Sequence, residues 1–135
     1  MGLDNGIVLK AKTSRGIKYL TENHSFYFYY NDEIGYWRKC WNIRHNILNA
    51  FADKNYDGNG GCIDLTSVKD LVNMAETLKY FLHEENWEKS ESIWDWYIVL
   101  PSVAEAIKKL RYLIEDIENE DISIDDLNIY FYDSY

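Results

Sequence analysis

Arg38, Asn42, His45 and Asn49 are spaced by four, three and four residues, the spacing that stacks side chains along one face of an α-helix. A guanidinium, two carboxamides and an imidazole in line can grip a phosphate, a carboxylate or the edge of a backbone. Trp37 and Lys39 flank Arg38, adding a ring of the kind that anchors protein interfaces and a second cation. Trp37, Arg38, Lys39, Asn42 and His45 are therefore the candidate binding residues. The same face can also be read as a solvated helix surface, or as one paired internally with acidic residues.

The element that must position them is expected to be a helix over residues 34–52. On it Tyr36, Cys40, Ile43, Ile47 and Ala50 fall on one side, and Trp37, Trp41, Leu48 and Phe51 widen that side into an apolar face. The polar residues then lie opposite. A motive for internal pairing comes from Glu115, Asp116, Glu118 and Glu120, which crowd the end of a later helix where the dipole disfavours negative charge.

Other chemistry finds less support. Residues 53–58, DKNYDG, match the first half of a calcium-binding EF-hand loop, with oxygen ligands at Asp53, Asn55 and Asp57 and a turn glycine at Gly58. The second half departs: Gly60 stands where an apolar residue is needed and Asp64 where a bidentate Glu belongs. No metal site is assigned. His24, His45 and His83 fall on separate elements, and the chain has no Cys-x-x-Cys pair, phosphate loop or nucleophile elbow. No catalytic residue or cofactor is assigned, and an enzyme is the less favoured class.

The charge is uneven. Residues 1–60 hold eight Lys and Arg against six Asp and Glu, residues 61–135 hold six against seventeen, and no basic residue follows Arg111. A net charge of −9 repels nucleic acid and anionic membrane alike. Direct nucleic-acid binding is therefore disfavoured, and no apolar run reaches the ~18 residues of a membrane span. Gly2 opens a myristoylation-like start, but Gly6 stands where Ser or Thr is required. Cys40 sits among apolar helix positions and reads as a core residue, so a reducing cytoplasm is expected. The aromatic share of 16% exceeds what an ordinary core uses, and Tyr and Trp left near the surface serve as binding anchors.

The 135 residues fit one domain. Residues 6–11 read as a strand after a turn, 12–23 as a basic loop, and 24–30 (HSFYFYY) as an alternating aromatic strand. Residues 53–61 break the chain and 62–65 form a short strand. Ser67 with Asp70 caps a helix whose apolar stripe is Val68, Leu71, Ala75, Leu78 and Leu82. Residues 83–92 read as a loop in which Trp87 needs cover, and 93–100 fit strand or helix equally. Pro101, Ser102 and Glu105 mark a helix start, with Val103, Ile107, Leu110, Ile114 and Ile117 as its buried stripe and an end near Asn119. Residues 127–132 close the chain as a strand. The expected fold is α+β, with about three helices on a small, mostly antiparallel sheet.

The start Met1 to Asp4, Tyr36-Trp37-Arg38-Lys39 with Ile43, the stretch 60–71 (GGCIDLTSVKDL) and the closing YFYDSY together resemble a family of small bacteriophage and prophage proteins. That family places His directly after its Ile and commonly ends in Ser-Trp. Here Arg44 intervenes before His45, and the chain ends Ser134-Tyr135. The resemblance implies no reaction, only a setting: a phage or prophage accessory protein in a bacterial cytoplasm. The expected function is a non-enzymatic module that docks on a host or phage protein. One version has Glu115, Asp116 and Glu118 mimic the phosphates of nucleic acid. The alternatives are a small-ligand or calcium-binding domain and, more weakly, a hydrolase or nuclease.

Overall fold

Strand alternation dictates the sheet. Residues 127, 129, 131 and 133 point one way and their neighbours the other, and in β4 (Leu127–Ser134) burial alternates with that period. A computed structural model, describing residues 3–22, 32–54, 56, 61–87 and 93–135, places β4 between β1 (Asp4–Ala11) and β3 (Cys62–Asp64). The outer strand beyond β1 is β2 (Asp32–Arg38), giving the order β2-β1-β4-β3 with every neighbouring pair antiparallel. Ile7 pairs with Phe131, which also pairs with Ile63, so three core residues line up across the sheet.

The helices α1 (Ser14–Glu22), α2 (Trp41–Ala50), α3 (Val68–Lys79) and α4 (Ile93–Glu118) complete the α+β architecture. Helix α4 packs on β2 and on α3, which packs on α2. Leu71, Met74, Leu78, Val103, Leu110 and Leu113 bury completely between helices and sheet, each worth roughly 1.5–3 kcal/mol of transfer free energy. Ser67 caps α3 as expected, its Oγ accepting from the Asp70 N–H at 3.1 Å, which contributes about 1 kcal/mol.

Three expectations about individual elements need correction. The helix over 34–52 is instead a strand, a turn and a helix: β2 ends at Arg38 and α2 begins at Trp41. Lys39 makes the break with a left-handed φ of 61°, held by its N–H donating to the Leu3 carbonyl at 2.6 Å. The basic loop over 12–23 contains α1. Thr13 starts it, accepting from the Gly16 N–H at 3.1 Å while donating to Asp126 Oδ1 at 2.8 Å.

Residues 93–100 are helical, and Pro101 lies inside α4 rather than opening it. Proline forfeits one backbone hydrogen bond there, at about 3 kcal/mol. Half-buried Val99 and Leu100 before it and buried Val103, Ala106 and Leu110 after it keep both halves packed. Residues 83–92 include a 3-10 turn at Glu84–Asn86, and Trp87 finds its cover edge-on against Phe81 at 5.9 Å. The strand expected over 24–30, and Asn55, Asp57 and Gly58 of the calcium-like loop, lie outside the described residues.

Candidate functional site

The junction at Lys39 separates the five candidate binding residues. Trp37 alternates inward from β2 and is buried, while Arg38 is exposed on the opposite face of the strand and Lys39 is exposed in the turn. Asn42, expected on a solvated face, is buried, and its carbonyl accepts from Asn46 Nδ2 at 2.9 Å. His45 is exposed one turn further along α2. The line Arg38, Asn42, His45 and Asn49 is therefore not one surface: strand geometry carries Arg38 away from the helix that bears the other three.

Trp37, Arg38 and Lys39 do share a cleft of about 450 Å³, walled by Tyr36 and Cys40 on their side and by Ile98, Val99 and Ser102 of α4 on the other. Arg38 and Lys39 supply its cations. Ile98, 76% exposed, and Tyr97, 54% exposed, make an apolar surface of this part of α4. The left-handed backbone at Lys39 costs about 1–2 kcal/mol for a residue with a Cβ, and such strain concentrates at functional sites. The Trp37 Nε1–H is buried with no acceptor among the described residues. Tyr36 is fixed by donating its hydroxyl to Asp4 Oδ1 at 2.6 Å, a bond that also raises its phenol above the ordinary value.

A second constellation, absent from the sequence expectations, joins α2 to the end of β4. Arg44 Nε donates to Asp133 Oδ2 at 2.6 Å, with side-chain exposures of 8% and 0%. The Tyr56 hydroxyl donates to the other Asp133 oxygen, and Arg44 Nη2 donates to the Tyr135 hydroxyl at 3.1 Å. The guanidinium also lies over the Tyr135 ring at 4.9 Å and the Trp41 ring at 5.6 Å. Burial and the Asp133 carboxylate push the Tyr56 phenol strongly up, so it stays a hydrogen-bond donor at neutral pH. With both charges enclosed and mutually satisfied, the cluster is an anchor rather than a reaction centre. The signal for it was the alternation of β4, which puts Asp133 on the same face as Leu127, Ile129 and Phe131 and so demands a buried cationic partner.

His45 lines a separate polar cleft with Asn46, Leu48 and Asn49 of α2 and with Tyr80 and Asn86. Among the described residues no group of three or more His, Cys, Asp or Glu is arranged to hold a metal ion, and no helix is long and apolar enough to cross a membrane. Cys40 is buried and Cys62 exposed, both as free thiols. Burial and the neighbouring Asp64 push the Cys62 thiol up, away from the thiolate that nucleophilic chemistry needs. Compared with protein-family models, with curated proteins and with solved structures, the chain matches none.

Proposed function

We propose that this chain is a non-enzymatic docking module, and that its β2–α4 cleft takes an acidic segment of a host or phage protein bearing an apolar side chain. The observation that carries the reading is the pairing, across one cleft, of the exposed cations Arg38 and Lys39 with the exposed apolar surface of Ile98. Charge complementarity selects an acidic partner in a molecule whose net charge of −9 repels acidic chains elsewhere. The apolar wall supplies area that a bare ion would leave unused. The sequence resemblance to phage and prophage proteins supports a bacterial cytoplasm as the setting.

The test is affinity capture from a nuclease-treated bacterial lysate with three baits. Wild type should retain a specific protein, an Arg38→Glu, Lys39→Glu variant should lose it, and a Glu115→Lys, Glu118→Lys variant, altered on the exposed end of α4, should keep it. Equal retention by the first two baits overturns the reading. Loss with the third bait alone moves the contact to the acidic end of α4 and favours mimicry of nucleic acid instead.

A further inference from the structure

The cleft that contains His45 lies between α2 and the 3-10 turns that follow α3, Tyr80–Leu82 and Glu84–Asn86, and measures about 430 Å³. Its described lining is His45, Asn46, Leu48, Asn49, Tyr80 and Asn86. The described polar side chains of that set are three carboxamides, an imidazole and a phenol. Carboxamides, imidazole and phenol each donate and accept hydrogen bonds. Phosphate and carboxylate ligands only accept and call for cations, whereas a hydroxyl group does both. The chemistry of these described side chains therefore matches hydroxyl groups.

Two of the carboxamides are set before any ligand arrives. Asn46 Nδ2 donates to the Asn42 carbonyl at 2.9 Å, and Asn86 Nδ2 donates to the Tyr80 carbonyl at 2.8 Å. Fixing one end of each amide removes ordering entropy that binding would otherwise cost. The Tyr80 ring is 48% exposed yet held edge-on by Phe81 at 5.5 Å, which Trp87 braces in turn at 5.9 Å. A fixed, exposed aromatic ring beside Leu48 offers the apolar surface against which the C–H face of a sugar packs. The volume lies within the roughly 300–1,000 Å³ of small-molecule sites.

We propose that the α2–Tyr80 cleft is a saccharide site, taking a neutral hexopyranoside with its ring against Tyr80 and its hydroxyls on His45, Asn49 and Asn86. This site is separate from the Arg38–Lys39 cleft and does not depend on the docking reading. The test is saturation-transfer NMR on the full chain with methyl glucoside, galactoside, mannoside and N-acetylglucosaminide, and with uridine and adenosine as competitors. His45, Asn49 and Tyr80 are all exposed, so Tyr80→Ala and Asn49→Leu should fold, and an unchanged thermal midpoint verifies it.

The expected result is transfer to the ring protons of at least one glycoside, weakened about fivefold to tenfold in each variant, since each removes one hydrogen bond or one stacking contact. Arg38→Glu should leave the transfer unchanged. No transfer to any glycoside overturns the proposal. So does equal transfer in both folded variants, or displacement of the glycoside by a nucleoside at lower concentration.

Discussion

Replacing Asp133 with alanine should be among the most damaging single changes this fold can suffer. Two unit charges 2.6 Å apart attract by roughly 6 kcal/mol at an effective dielectric of about 20, and much of that offsets the desolvation of two buried ions. Removing only Asp133 forfeits the attraction while Arg44 stays enclosed, leaving the Tyr135 hydroxyl and two aromatic rings as its named contacts. The Tyr56 hydroxyl loses its acceptor as well. Breaking a buried pair from one side costs about 3–5 kcal/mol, a large share of the ~5–15 kcal/mol that holds a domain together. At about 3–5 °C per kcal/mol for a chain of this size, the thermal midpoint should fall by ~10–25 °C. Urea unfolding at neutral pH, read as a midpoint shift at constant slope, measures the free energy directly. The double variant Arg44→Met, Asp133→Leu should recover most of the loss, because an apolar pair removes both desolvation costs. A single-variant cost below about 1 kcal/mol, or a double variant weaker than the single, would refute the anchor.

Three further outcomes follow from local geometry. Alanine at position 16 would gain about 1 kcal/mol of helix propensity in open space, but its Cβ would sit 2.2 Å from the Asp126 carbonyl oxygen, so Gly16→Ala should lower stability by about 1–3 kcal/mol; a raised thermal midpoint contradicts this. Lys39→Gly relieves the left-handed backbone and should stabilise the fold by up to about 1 kcal/mol while weakening partner capture, and a lowered midpoint would show that no strain is stored there. Burial alone would push the Asp70 carboxyl up, but the Thr66 N–H and the Lys54 ammonium outweigh it and hold it below the usual range. A depressed folded-state pKa contributes stability above the unfolded value near ~3.9 and loses it as pH falls through the folded value. Wild type should therefore lose more stability than Asp70→Asn below about pH 4, and parallel profiles in the two proteins would exclude the linkage.

Where a local rule and the tertiary structure agreed, the sequence could be read directly. The Ser67 cap with Asp70, the buried stripe of Leu71, Ala75 and Leu78, and the alternation of β4 all appear as expected. The stretch over 34–52 misled because its break falls on Lys39, neither glycine nor proline, so no turn signal interrupts the helical spacing. A register shift beside it buries Ile34 and Gly35 in succession, which hides the strand's period of two. Pro101 misled in the opposite sense: it announces a helix start, and only packing on both sides overrides it. The candidate site was legible in part. Arg38 and Lys39 are exposed beside a cleft, but the facing wall, Ile98 to Ser102, comes from a helix some sixty residues away in sequence that no local pattern could have brought there. Helical period alone puts Asn42 on the solvent side, yet it is buried.

The strand order has a consequence for how the chain is made. The last strand in sequence, β4, lies between the first, β1, and the short β3, so the sheet has no centre until residue 134 has left the ribosome. At about 5–20 residues per second, the edge of β1 that pairs with β4 waits some 6–25 s. Throughout that interval Ile7, Leu9 and the β4-facing edge of β1 have only β2 and the other segments already made, or a chaperone, to cover them. The sheet is thereby completed only once residue 134 is available, through pairings distant in sequence, the topology that folds slowly.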